Sequence, residues 1–168
     1  MSGVIEARLL TLQGAQRVLQ AAIGHAHAIG QPMCIAVVDL GGNLLAFARM
    51  DGSKALSIIS SNHKAVTAAM SGTPTGGAHT DVELQIAMAS DCKWTNLIGG
   101  LPIRVEGYVV GAVAAGSGNG SQDLAVARAG AAAIAGADLF EDFVPMGAED
   151  TGIIRGKTPR RPERQRQP

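Results

Sequence analysis

The stretch "AVVDLGGNLLAFARMDG", residues 36–52, decides the fold class. Two apolar arms of strand length meet at Gly41-Gly42, a dipeptide free to adopt the positive φ that tight hairpin turns need. A two-residue Gly-Gly link predicts a type I′ or II′ hairpin, so "MCIAVVDL" (33–40) and "NLLAFARM" (43–50) are expected as antiparallel neighbours. Charges close both arms: Asp39 ends the first, Arg49 and Asp51 the second. They either frame the hairpin or mark a site, and the pattern alone leaves that open.

On the N-terminal side, Leu12, Ala15, Val18, Leu19, Ala22, Ile23 and Ala26 recur at helical spacing. Thr11 is a candidate N-cap, and Gly30 and Pro32 lie just past the predicted end. Beyond the hairpin, Ala55 to Met70 reads as helix until "SGTPTGG" stops it. A shorter helical pattern covers Asp81 to Ala89. "PIRV" and "YVVGAVAA" then form a second hairpin about Glu106-Gly107, and Leu124 to Ala137 is an Ala-rich helix with Ser121 or Asp123 as candidate caps. The order α-β-β-α-α-β-β-α keeps strands in hairpins rather than crossovers. The expected class is α+β, an antiparallel β-sheet of hairpins flanked by α-helices.

A length of 168 residues with 46% hydrophobic content suits one domain with its own core. The predicted division is a domain over 1–140 and a C-terminal extension over 141–168, basic and disordered from about residue 155. "RGKTPRRPERQRQP" carries six basic residues against one acid, while residues 1–154 carry 13 acids and 8 bases. No basic stripe or aromatic platform marks the body, so no nucleic-acid partner is expected. No apolar run is long enough to span a membrane, and "MSGVIEARLL" lacks the charged and apolar regions of a secretory signal. The expected location is the cytoplasm. Cys34 and Cys92 are not spaced as a metal pair or a redox motif, and Cys34 reads as a small core residue.

"GSGNGSQD", residues 116–123, looks like a nucleotide loop, but Ser121 stands where a third glycine is needed and no Gly-Lys-Ser/Thr is present. What remains is a helix start whose N–H groups suit an anion such as a carboxylate, or simply a turn with a capped helix. His25 lies at the edge of the first helix's apolar stripe and His27 on its polar face. "HAH" places the two rings apart, which argues against structural zinc; a single imidazole still suffices for heme iron. His63 shares a stripe with Ile59, Val66 and Met70 and is expected to face the core or a pocket wall, with Lys64 on the opposite side beside Ser57 and Ser60. His79 sits in the loop after Gly76-Gly77. No nucleophile elbow, Cys-His signature or H-E-x-x-H motif is present.

The ordered combination of "IAVVDLGGNLLAFARMDG", "NHKAVTAA" and "GGLPIRVEGYVVGAVAAGSGNGSQDLAVARAG" resembles the GlcG/HbpS family of heme-binding-like proteins, which includes the C-terminal domain of PduO-type corrinoid adenosyltransferases. The likeness covers about residues 8–138. It implies an antiparallel sheet flanked by helices in three layers, assembled as dimers or larger rings, with heme bound through a histidine in some members and neighbouring genes of small-acid, diol or aromatic catabolism in others. The family's positions fall on Asp39, Gly41 and Gly42; on Arg49, Asp51 and Gly52; on Lys64, Ala65 and Thr67; and on Gly99, Gly100, Pro102 and Ile103. Three departures stand out. The usual "GVSG" reads "AAGSG", no adenosyltransferase domain is expected ahead of the body, and the tail after Phe140 is longer than the family core requires. Cobalamin adenosylation is therefore not carried over.

The resemblance leads to a homo-oligomeric small-ligand-binding protein with heme as the expected cofactor. His25 or His63 would be the iron ligand, Arg49 and Lys64 would pair with propionates, and Gly99, Gly100 and Pro102 would complete the site. The alternative is a cofactor-independent enzyme of small-acid or aromatic catabolism, performing proton transfer, isomerisation or hydration with His63, Lys64, Arg49 and His79. A third reading is an accessory oligomer without chemistry.

Overall fold

The structure is a computed structural model and describes residues 3–5 and 7–146. The basic tail predicted to be disordered lies outside the described residues. The element order is α1 (Leu12–Ala28), β1 (Cys34–Asp39), β2 (Leu44–Arg49), α2 (Ser57–Ser71), α3 (Thr80–Ala89), β3 (Gly100–Val105), β4 (Tyr108–Gly116) and α4 (Gly120–Ala131). The strands form one antiparallel sheet in the order β2-β1-β4-β3. Two hairpins are thus joined side by side through their inner strands, the α+β class expected from the sequence.

The first hairpin's loop is one residue longer than predicted. Asp39 N–H bonds to Asn43 O, and Gly42 N–H returns to Asp39 O, so Leu40, Gly41 and Gly42 form a three-residue loop. Only Gly42, at φ +81°, takes the left-handed conformation, the usual ending of such a loop. A register shift between Val37 and Val38 absorbs the extra residue. The second hairpin has the predicted two-residue turn, with both Glu106 (φ +50°) and Gly107 (φ +84°) in the region a type I′ turn requires.

Strand alternation divides the sheet into two unlike faces. On one face Ile35, Val37, Leu101, Ile103 and Val113 join α1 and α4 in the main core. On the other, Ala36, Val38, Ala112 and Ala114 meet Ala65, Ala68 and Ala69 of α2. The result is three layers: α1 with α4, the sheet, and α2. Small side chains on both surfaces let α2 lie close against the strands. A Cβ on Gly100 would be driven into the Lys64 carbonyl.

Thr11 caps α1, its hydroxyl accepting from Gly14 N–H at 3.0 Å. Helix α4 starts four residues earlier than predicted and is capped by neither Ser121 nor Asp123. Asn119 caps it, in a reciprocal box with Gln122. The helix also ends earlier, at Ala131; residues 132–136 turn, and Gly136 has φ +73°. The chain then runs back over the domain, held by the Arg128 guanidinium, which donates to the carbonyls of Leu139, Phe140 and Phe143, and by Met146 N–H on Gly76 O. No helix among the described residues is long and apolar enough to cross a membrane.

Candidate functional site

Lys64, Gly99 and Gly100 come together as the sequence suggested, though not on an open surface. Lys64 points inward and is 4% exposed. Its ammonium donates to the Asp123 carboxylate at 2.7 Å and to Ala115 O at 2.9 Å. Asp123, also 4% exposed, accepts Gly118 N–H at 3.0 Å on its other oxygen. One buried ion pair therefore ties α2, the end of β4 and the start of α4. The helix-start site that suited a carboxylate is filled from within, by Asp123 itself.

Glycines make room for this pair. Gly99 has φ +119°, and a Cβ there would lie 2.5 Å from Asp123 Cβ and 3.2 Å from Lys64 Nζ. The adjoining loop is fixed by Thr75, whose hydroxyl accepts Gly100 N–H at 2.8 Å and donates to Leu97 O at 2.6 Å. Pro102, fully buried, follows on β3. Burial pushes the Asp123 carboxyl above its ordinary range, and the Lys64 charge pulls the other way without reversing it.

The orientation of α2 corrects the sequence expectation. The buried face is Ser57, Ser61, Lys64, Ala65 and Ala68. Of the stripe Ile59, His63, Val66 and Met70, Val66 packs on the edge of the alanine cluster beside Gly42, whereas Ile59 is 57% exposed, Met70 71%, and His63 is half-buried. Ranking residues by apolarity assigned the larger side chains to the core, whereas an Ala-lined sheet accepts only small ones and a stretched lysine. Lys64 is consequently engaged with Asp123, not presented to a propionate.

The other predicted residues lie apart. His25 is half-buried on α1, across the sheet from His63, so the two imidazoles cannot share one ligand within a chain. His27 is exposed at the end of α1 and, with Gln31, Arg49 and Asp51, borders an open depression of about 510 Å³. Arg49 is exposed on the edge strand β2 and its guanidinium makes no hydrogen bond or ion pair among the described residues. His79 is exposed and caps α3, with Nδ1 3.3 Å from Asp81. The four residues of the enzyme alternative therefore do not converge. Asp39 belongs to the hairpin: it accepts Gly41 N–H at 2.8 Å and Asn43 N–H at 2.9 Å. The Asn43 side chain, followed by these N–H groups, holds its carboxyl below the ordinary range.

Asp123 is the site residue that sequence reasoning missed. It stands 59 positions from Lys64, and its local pattern suggests only a helix cap. The available signal was a lone lysine among Ala and Ser on an inward helical face, which demands a counter-ion.

A hairpin sheet between two helical layers, with an alanine-lined helix and a glycine-seated Lys-Asp pair, defines a three-layer α+β class. The chain belongs to the family described as haem degrading protein HbpS-like, whose model matches residues 10–132. Protein GlcG of Escherichia coli K12 is 36% identical over 106 residues, covering 62% of this chain and 79% of GlcG. An uncharacterized 15.0 kDa protein from the dhaT-dhaS intergenic region of Citrobacter freundii is 35% identical over 127 residues, 71% of this chain and 87% of that protein. Among solved structures, a double mutant of Streptomyces reticuli HbpS superposes with a TM-score of 0.72 at 30% identity, covering 80% of this chain and 92% of HbpS. A PduOC:heme complex superposes with a TM-score of 0.71 at 22% identity, covering 78% and 98%, which is a likeness of fold.

Proposed function

We propose that this protein is a cytoplasmic, self-associating heme-binding protein in which His63 is the iron ligand. The observation that carries this reading is the setting of His63. Its imidazole makes no hydrogen bond or ion pair among the described residues, and it shares α2 with the exposed apolar side chains of Leu56, Ile59 and Met70. A free, half-buried imidazole in an apolar, uncharged surround suits one axial position on a porphyrin. Heme, when bound, would supply the redox-active iron; the chain supplies the imidazole and the apolar wall. His25 lies on the opposite layer, in the last turn of α1. The family's description and the heme held by the same fold in PduOC support heme as the ligand. Cys34 and Cys92 are both free, and Cys92 is exposed, which fits a reducing compartment.

Hemin titration tests the reading. Wild-type protein is expected to give a saturable, shifted Soret band at one hemin per chain or per pair of chains. His63→Ala should lose it and His25→Ala should keep it. A Soret band that survives His63→Ala unchanged removes His63 as the ligand.

A further inference from the structure

Helix α3 buries none of its own residues. Over Asp81–Ala89 every residue is exposed or half-buried, with Leu84 and Met88 at 69% and 68% exposure. Ten residues of helix are marginal alone in water, so α3 needs a surface to pack on. Leu84, Ala87, Trp94 and Glu83 border a depression of about 250 Å³, large enough for an aliphatic side chain.

The rim of this depression is acidic. Between residues 79 and 96, Asp81, Glu83 and Asp91 stand against a single lysine, Lys93. His79 lies 3.3 Å from Asp81, while the carboxylates of Glu83 and Asp91 make no hydrogen bond or ion pair among the described residues. An apolar floor with an acidic rim suits a segment that is apolar at one point and basic beyond it. A second copy of the same face fits poorly, because it would set these acids against themselves.

The chain itself carries such a segment, and its start is close by. Met146, the last described residue, donates its N–H to Gly76 O at 2.8 Å. Two residues past Gly76, Ala78 exchanges hydrogen bonds with the Asn96 side chain, both at 3.0 Å, and Asn96 borders the depression. Residues 147–152, "GAEDTG", lead to Ile153-Ile154, the only large apolar residues after Met146, and then to six basic residues. Six extended residues span up to about 20 Å, enough to reach from Gly76 to the depression. A short tether holds a segment at an effective concentration on the order of mM, so modest contacts suffice.

We propose that the segment from Ile153 to Arg161 docks on α3 of its own chain. Ile153 and Ile154 occupy the depression beside Leu84 and Trp94, and the basic residues that follow lie along the acidic rim. The inference goes beyond the heme reading and does not depend on it.

Trp94 is the chain's one tryptophan, so its fluorescence reports on this depression directly. The full chain is compared with Ile153→Asp/Ile154→Asp and with Glu83→Lys, each also checked by circular dichroism and by light scattering for mass. In wild type, Trp94 emission should be blue-shifted and poorly quenched by acrylamide, and the α3 amides should exchange slowly. Ile153→Asp/Ile154→Asp should red-shift the emission, admit the quencher and speed α3 exchange at unchanged mass. Glu83→Lys should move the same readouts in the same direction. A synthetic peptide of residues 147–168, added to the double variant, should restore the blue shift. Identical emission, quenching and exchange in wild type and the double variant overturn the proposal, as does a peptide that leaves the double variant's spectrum unchanged. A face protected only at concentrations where the mass rises belongs to a second copy, and one protected only when another protein is added belongs to that protein; either result also overturns it. Unchanged readouts in Glu83→Lys overturn the part assigned to the acidic rim.

Discussion

Replacing Lys64 with methionine tests the buried ion pair at the centre of the fold. The substitution keeps an unbranched side chain one atom shorter and removes its charge, leaving Asp123 with Gly118 N–H on one oxygen and nothing on the other. Ala115 O loses its side-chain donor as well. Breaking a buried pair from one side costs about 3–5 kcal/mol. For a domain of this size each kcal/mol moves the melting temperature by about 2–4 °C, so a fall of about 6–20 °C is expected. The pH dependence carries a definite sign. Burial already raises Asp123 in the folded state, and losing Lys64 removes the influence that lowered it. A carboxyl raised on folding contributes stability that is present below its unfolded value and lost as pH rises through its folded value. The deficit of Lys64→Met should therefore shrink in acid and grow toward neutrality. Urea unfolding followed by circular dichroism at fixed protein concentration measures both. The double variant Lys64→Met/Asp123→Leu leaves no uncompensated charge and should recover most of the loss, with coupling of about 2 kcal/mol or more. A single-variant cost below about 1 kcal/mol, or a double variant lying at the sum of the two singles, would refute the clamp.

Gly100→Ala drives a methyl into the Lys64 carbonyl and should destabilise by at least about 2 kcal/mol in the same urea assay, in contrast to Gly24→Ala, which meets open space at an exposed position of α1. Asn119→Ala removes the capping box of α4 and should cost about 1 kcal/mol, read as a shifted urea midpoint. Asp39 is lowered on folding, so its contribution is present above the unfolded value and lost as pH falls through the folded one. Asp39→Ala should thus be less stable than wild type near neutrality and converge with it in strong acid, as melting curves across pH would show.

The sheet was readable because its strands alternate or run apolar between glycine turns. Both hairpins stood where the spacing put them, one turn longer by a residue because the Asp39 side chain, holding Gly41 and Asn43, builds a wider loop than Gly-Gly alone suggests. The helices were found within a few residues, but not which way α2 faces. A hydrophobicity pattern ranks Ile59 and Met70 above Ala65 and Ala68, whereas the sheet surface beneath α2 is alanine and admits only small partners. That packing choice lies in the opposite strands, not in the helix's own sequence. Lys64 and the glycines at 99 and 100 were legible through the family resemblance, and the structure explains them sterically. Asp123 was not, because nothing local to it reveals a partner across the fold.

Imidazole rescue isolates the contribution of the His63 ring to heme binding. In His63→Gly the apolar face of α2 remains and only the proposed ligand is removed. Hemin alone should then fail to give the wild-type Soret band, and added imidazole should restore its position and intensity, while His25→Gly should behave as wild type without imidazole. A wild-type spectrum in His63→Gly before any imidazole is added would rule out His63 as the iron ligand.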